Sequence, residues 1–214
     1  MTQYRRTRLE IDLGAIAHNV RCLRARTPET AKLLAVVKAD AYGHGAVEVS
    51  RTALKNGAEF LAVAIPEEGV KLRQAGISAP ILVLGGVNEV GAEGDVQFDL
   101  TQTVYDVRTV LNLQRAAERL GKTACAHLKI DTGMGRFGFL PEDVEGILRL
   151  YREEKHIAIS GIYTHFDCAF NNEARTRAEF AAFQETVQKI RAAGYETGTV
   201  HCCNSSAFLR FPEM

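Results

Sequence analysis

The sequence has no tryptophan, five prolines and five cysteines in 214 residues, and it has no surplus of charge, since 26 Lys and Arg stand against 26 Asp and Glu. Each shortage excludes something. Balanced charge argues against a basic nucleic-acid footprint or a polybasic membrane surface. The cysteines are odd in number and none shows CxxC spacing (Cys22, Cys125, Cys168, Cys202, Cys203), so neither a disulfide framework nor a zinc site is read, and no metal is expected. That usage fits a reduced, cytoplasmic protein. No run approaches the roughly 18 apolar residues of a membrane span. The start, Met1-Thr2-Gln3-Tyr4-Arg5-Arg6, leads into a strand-like segment and not into the apolar stretch of a secretory signal. Hydrophobic content of 46% and charged content of 24% sit at globular averages, which excludes wholesale disorder.

What is present is an alternation. Short apolar runs predict strands at 33–37, 60–65, 80–84, 98–104, 126–130, 157–164 and 199–203. Helical patterns follow at 46–55, from Pro66, at 106–120, 141–151 and 173–193. Strands alternating with helices imply parallel βαβ units. Seven units in a row with short connections favour an α/β barrel of the (β/α)8 TIM type over a doubly wound sheet. Such barrels take about 250 residues, so the chain reads as about seven of eight strand-helix units. The opening segment, 8–13, reads as a strand outside the repeat.

In parallel barrels the chemistry sits just after each strand. The first run ends in Lys38, with Tyr42, Gly43 and Gly45 close behind. A lysine after five apolar residues is costly unless it is paired or functional, and desolvation makes an amine nucleophilic toward carbonyls. The fifth run carries Lys129, which alternates with Leu128 and Ile130 and so points inward, where it needs an anionic partner or a modification. His127 on that strand reads as structural. Beyond it, glycines flank Arg136, and a guanidinium in such a turn suits a carboxylate or phosphate. The sixth run ends at His165, whose ring suits stacking on a planar cofactor. The seventh ends at Asn204, Ser205 and Ser206, a polar loop suited to phosphate. An amine nucleophile, a stacking ring, a phosphate loop and a carboxylate-binding arginine are what a pyridoxal-phosphate enzyme of amino acids requires.

These residues resemble a known family. Val36-Val37-Lys38-Ala39-Asp40-Ala41-Tyr42-Gly43-His44-Gly45 is similar to the cofactor-lysine motif of bacterial alanine racemases. Glu10 to Asn19, His127 to Gly138, Thr164-His165-Phe166 and His201-Cys202-Cys203-Asn204-Ser205-Ser206 match further motifs of that family in order. The resemblance implies pyridoxal 5'-phosphate held as a Schiff base on Lys38, which also acts as one of two catalytic bases. It implies Tyr42, Asn204 and Ser205 on the phosphate and His165 stacked on the ring. Arg136 would bind the phenolic oxygen and substrate, supported by a Lys129 that relatives can carry as a carbamate. The implied reaction interconverts L- and D-alanine in the cytoplasm, supplying D-alanine for cell-wall peptidoglycan, in a homodimer with no nucleic-acid or membrane partner.

Two departures stand out. Asp167 occupies a place where the family usually has a small residue, and Phe170-Asn171-Asn172 stands where an acidic pair is common. The resemblance further implies that residues 14–214 are a truncated cofactor-binding barrel and that 1–13 form a strand pairing with a carboxyl-terminal β-domain. That domain also supplies the second base, a tyrosine, so the chain alone is expected to racemise alanine poorly. The alternatives are a non-catalytic pyridoxal-phosphate protein and a serine or lysine racemase of the same family.

Overall fold

A computed structural model describes residues 8–153 and 155–214. Seven strands pair in sequence order in a single parallel sheet: β1 (Leu34–Val36), β2 (Phe60–Val63), β3 (Ile81–Val83), β4 (Thr101–Val104), β5 (Ala124–Lys129), β6 (Ile157–Tyr163) and β7 (Thr199–His201). The helices are α1 (Leu13–Arg26), α2 (Lys38–Gly43), α3 (Ala46–Lys55), α4 (Pro66–Gln74), α5 (Glu89–Gln97), α6 (Val107–Leu120), α7 (Val144–Glu153), α8 (Glu173–Ala192) and α9 (Ser205–Arg210). This is the curled strand-helix repeat expected of a barrel with seven units. β1 and β7 are its two edges.

The period-2 geometry of the strands sorts their side chains into two layers. Leu61, Val63, Ile81 and Val83 pack in one apolar cluster with Leu72 of α4. Ala126, Leu128, Ile162 and Cys202 belong to a second, with Leu113 of α6 and Phe183 of α8. The alternate positions, Ala62, Leu82 and Tyr163, form a small separate cluster. Those positions turn polar along the sheet. Thr103, His127 and Lys129 are all buried. Helix ends obey local chemistry: Asp106 accepts the Thr109 N–H at 2.7 Å, and Gly121 closes α6 at φ 61°.

Several boundaries differ from the sequence reading. Phe98, read as strand, is the C-cap of α5, a helix the apolar pattern did not announce. Two glycines and three acids dilute its apolar face, and Asn88 starts it by accepting the Gly91 N–H at 2.8 Å. The helix at 141–151 opens as a 3-10 turn, Pro141–Asp143, before α7. The strand read at 1–13 falls partly on residues 1–7, outside the described residues. Residues 8–12 join no ladder, and α1 begins at Leu13 with Asp12 accepting the Gly14 N–H at 2.8 Å. A strand exists only with a partner for its backbone groups, and none of the described residues pairs there.

Candidate active site

Because all seven strands run parallel, the segments that follow them emerge at one end of the sheet. Lys38 follows β1, residues 131–138 follow β5, His165 follows β6, and Asn204 and Ser205 follow β7. Lys38 and His165 are separated by most of the sheet's width, yet the charge of Lys38 reaches the His165 ring. The curl of the sheet brings the two edges toward each other.

The segment after β1 is unusual. Ala39, Asp40, Ala41 and Tyr42 all have φ between 51° and 55° in α2, a left-handed turn built without glycine. Such a conformation costs an L-residue about 1–2 kcal/mol. Neighbouring groups hold it. Ala39 N–H donates to Glu68 Oε1 at 2.6 Å, Ala46 N–H donates to Asp40 Oδ1 at 2.8 Å, and Ala41 N–H donates to Val37 O at 2.9 Å. Glu68 is itself fixed, since its other oxygen accepts the Ala64 N–H at 2.7 Å. Strain retained against several restraints is characteristic of ligand-binding segments. The turn leaves Lys38 half-buried and Tyr42 exposed.

Asp131 organises the loop after β5. Its carboxylate accepts the N–H groups of Gly133 and Gly135 at 3.0 Å and of Arg136 at 3.1 Å. Burial pushes its pKa up, but those N–H groups and Lys129 outweigh it and hold the carboxyl below the usual range. The Arg136 side chain stays exposed at the mouth. Lys129 is 4% exposed, and its hydrogen bond is to Ile130 O at 3.2 Å. Burial lowers its amine to about 8; Asp131 opposes that shift and Arg136 adds to it. The inward lysine read from the strand pattern is therefore present and weakly paired.

His165 gathers the site. Burial lowers its pKa, and Lys129, Arg136 and Lys38 lower it further, with Asp167 opposing. Three cations around one ring, against one acid, describe a place short of negative charge. Asn204 caps α9: its Oδ1 accepts the Ala207 N–H at 3.0 Å while Nδ2 donates to Phe166 O at 3.2 Å. Asn204 thus shapes the loop, and Ser205 is the exposed hydroxyl on it.

Beneath the mouth lies a polar chain that the sequence reading passed over. Tyr163 and Thr103 share a hydroxyl hydrogen bond at 3.0 Å. Tyr163 stacks on His201 with centroids 4.7 Å apart and planes 6° apart, and His201 Nε2 lies 3.0 Å from His127 Nδ1. Burial drives His127 to about 4 and His201 to about 3, so at neutral pH both rings are uncharged and share one proton along that bond. Gly161 makes this possible: a Cβ there would sit 2.5 Å from His127 Nε2. The signal available in the sequence was the alternation of His127 with the apolar Ala126 and Leu128 on β5, which turns it to the polar layer.

The residues of the site thus stand together at one end of a parallel half-barrel. The family profile described as alanine racemase, N-terminal domain, matches residues 11–214. The chain belongs to the alanine racemase family, through that domain. It is 41% identical over 216 residues to alanine racemase 1 of Oceanobacillus iheyensis, covering 100% of this chain and 57% of that protein. It is 44% identical over 207 residues to an alanine racemase of Methanococcus maripaludis, covering 95% of this chain and 55% of that one. Among solved structures it superposes on the alanine racemase of Clostridium difficile 630 with TM-score 0.91 at 36% identity, covering 95% of this chain and 57% of that chain. The chain therefore spans little more than half the length of the alanine racemases it matches. No helix among the described residues is long and apolar enough to cross a membrane.

Proposed function

We propose that this chain holds pyridoxal phosphate on Lys38 and serves as the cofactor-binding part of an alanine racemase that interconverts L- and D-alanine. The observation that carries the reading is that Lys38, Arg136, His165 and Ser205 follow strands of one parallel sheet and emerge at the same end of it, where Lys38, Lys129 and Arg136 all bear on the His165 ring. An anionic, planar cofactor fits that deficit of negative charge, and the exposed Ser205 hydroxyl and Tyr42 suit its phosphate. When bound, pyridoxal phosphate supplies the electron sink that makes the Cα proton of an amino acid removable.

The chain's own groups do the rest. Lys38 would hold the cofactor through its amine, and the same amine, when free, would take or return the Cα proton on one face. Arg136 would offer its fork of N–H donors to the cofactor's phenolic oxygen and the substrate carboxylate. The backbone bonds to Asp131 fix where that fork begins. His165 would lie against one face of the cofactor ring. Lys129, buried and lowered to about 8, has a neutral fraction near physiological pH whose nitrogen would bond the carbon of carbon dioxide and give up one proton to solvent, and the resulting carbamate anion would pair with Arg136. Inversion needs a second base on the opposite face. On this reading it comes from a tyrosine of the partner subunit in a homodimer, so the chain alone turns over slowly. The same reading places the protein in the cytoplasm, feeding D-alanine to peptidoglycan.

The test is to load the chain with pyridoxal phosphate, reduce it with borohydride and map the label by peptide mass. The label is expected on Lys38, with only slow conversion of L-alanine to D-alanine. Absence of label, or label on another lysine, overturns the reading.

A further inference from the structure

Asp167 follows two residues after His165, and nothing in the site described so far uses Arg175 or Glu179. We propose that Arg175, held by Asp167 and Glu179, is a positioning residue that locks the Arg136 loop to the His165 loop. What those two loops do rests on the functional reading above; that they are locked together does not.

The geometry is specific. Arg175 Nη2 donates to Gly133 O at 2.9 Å and lies 2.9 Å from Asp167 Oδ2. Its Nε donates to Glu179 Oε1 at 3.1 Å. Glu179 is 3% exposed, and its second oxygen accepts the Asp167 N–H at 3.1 Å. One planar guanidinium on α8 therefore bonds the loop after β5, the loop after β6 and a buried carboxylate of its own helix. Gly133 lies directly on that carboxylate, since a Cβ there would be 2.6 Å from Glu179 Oε1. From Gly133 the restraint passes to Arg136 through Asp131, which accepts both N–H groups. From Asp167 it reaches His165, two residues earlier. A second strap, Thr132 Oγ1 to Thr164 Oγ1 at 2.8 Å, runs alongside.

An exposed ion pair alone contributes little. This cluster differs because Glu179 is buried and both its oxygens are committed. The same cluster answers another question. Asp167, Cys168 and Glu179 each bring a possible metal-ligand atom within 4.8 Å of the others. The guanidinium already bonds both carboxylates, so it serves as the cation there.

Backbone hydrogen exchange on this chain tests the lock. Arg175→Ala is expected to speed exchange of the Gly133, Gly135 and Arg136 amides by about tenfold or more, with the amides of β2, β3 and β4 unchanged. Arg175→Lys should not restore protection, because one ammonium cannot span three acceptors in that fork. Asp167→Ala should loosen the same amides, and Asp167→Asn, which keeps an acceptor oxygen, should rescue them. A second readout uses the chain loaded with pyridoxal phosphate. Arg175→Ala should keep the borohydride label on Lys38 but shift the pH midpoint of the cofactor's visible absorbance, which Arg136 beside the phenolic oxygen would set. Unchanged exchange in the three amides, or equal loosening across the sheet, overturns the lock. Wild-type chain that takes up no cofactor overturns the functional reading alone, and the exchange result still decides the lock.

Discussion

Lys38, just after β1, and Lys129, the last residue of β5, stand at the same end of the same sheet, and they are opposites. Lys38 is half-buried beside a strained left-handed turn at an edge strand. Lys129 is nearly sealed in mid-sheet, with a carbonyl as its hydrogen-bond partner. One amine is placed where a carbonyl compound can reach it. The other is placed where a positive charge is uncomfortable and an added anion is welcome. Residue type alone does not distinguish them; position along the curl does.

The comparison breaks first at Lys38. Lys38→Ala should abolish borohydride labelling by pyridoxal phosphate while the thermal unfolding midpoint stays near wild type, because the side chain is only half-buried. If Lys129 takes up the label instead, the two lysines are interchangeable and the contrast fails.

A smaller effect should follow at Lys129. Its folded pKa, about 8, lies below the ordinary 10.5. The folded state therefore binds fewer protons than the unfolded state between those values, and stability rises as pH climbs from 8 to 10.5. Below pH 8 the full cost is present, roughly 3 kcal/mol. Lys129→Met keeps the shape without the charge, so urea unfolding at pH 7 should show a gain of up to that size, shrinking toward pH 10. A wild-type chain equally stable at pH 7 and pH 10 would show that Lys129 carries no titrating ammonium, as when it is a carbamate, and mass spectrometry under bicarbonate distinguishes that case.

The smallest effect concerns the polar chain beneath both lysines. Tyr163→Phe removes the hydroxyl that Thr103 faces at 3.0 Å and leaves the ring stacked on His201. Thr103 is fully buried. The loss should be about 1–3 kcal/mol, the cost of an unsatisfied buried hydroxyl, read as a lower urea midpoint. Tyr163 has its own pKa pushed up to about 12 by burial, so no pH dependence from it should appear below pH 10.

How much was legible differs by region. The strands were, since Leu61–Val63 and Ile81–Val83 are apolar on both faces and no helix of that length holds together alone. The ends of strands were legible as sites because parallel strands must emerge together, which singled out Lys38, Arg136, His165 and Ser205. The left-handed turn at Ala39–Tyr42 was not legible, because nothing local in Ala-Asp-Ala-Tyr favours positive φ; it is imposed by Glu68, 29 positions from Ala39. α5 was not legible either, because its glycines erase the periodic face and packing on α4 and α6 holds it instead. Arg175 and Gly133 lie 42 positions apart and meet only when α8 folds back over β5 and β6.

The sequence by itself therefore determined the repeat of strand and helix, the order of the sheet and which residues arrive at its mouth. These follow from hydrophobic period and chain direction, which are local. Tertiary structure alone decided which lysine is sealed, which carboxylate is committed to an arginine and which turn is held against its own preference. Burial, hydrogen-bond pairing and strain belong to surfaces that come together from distant parts of the chain, and no window of sequence contains both sides.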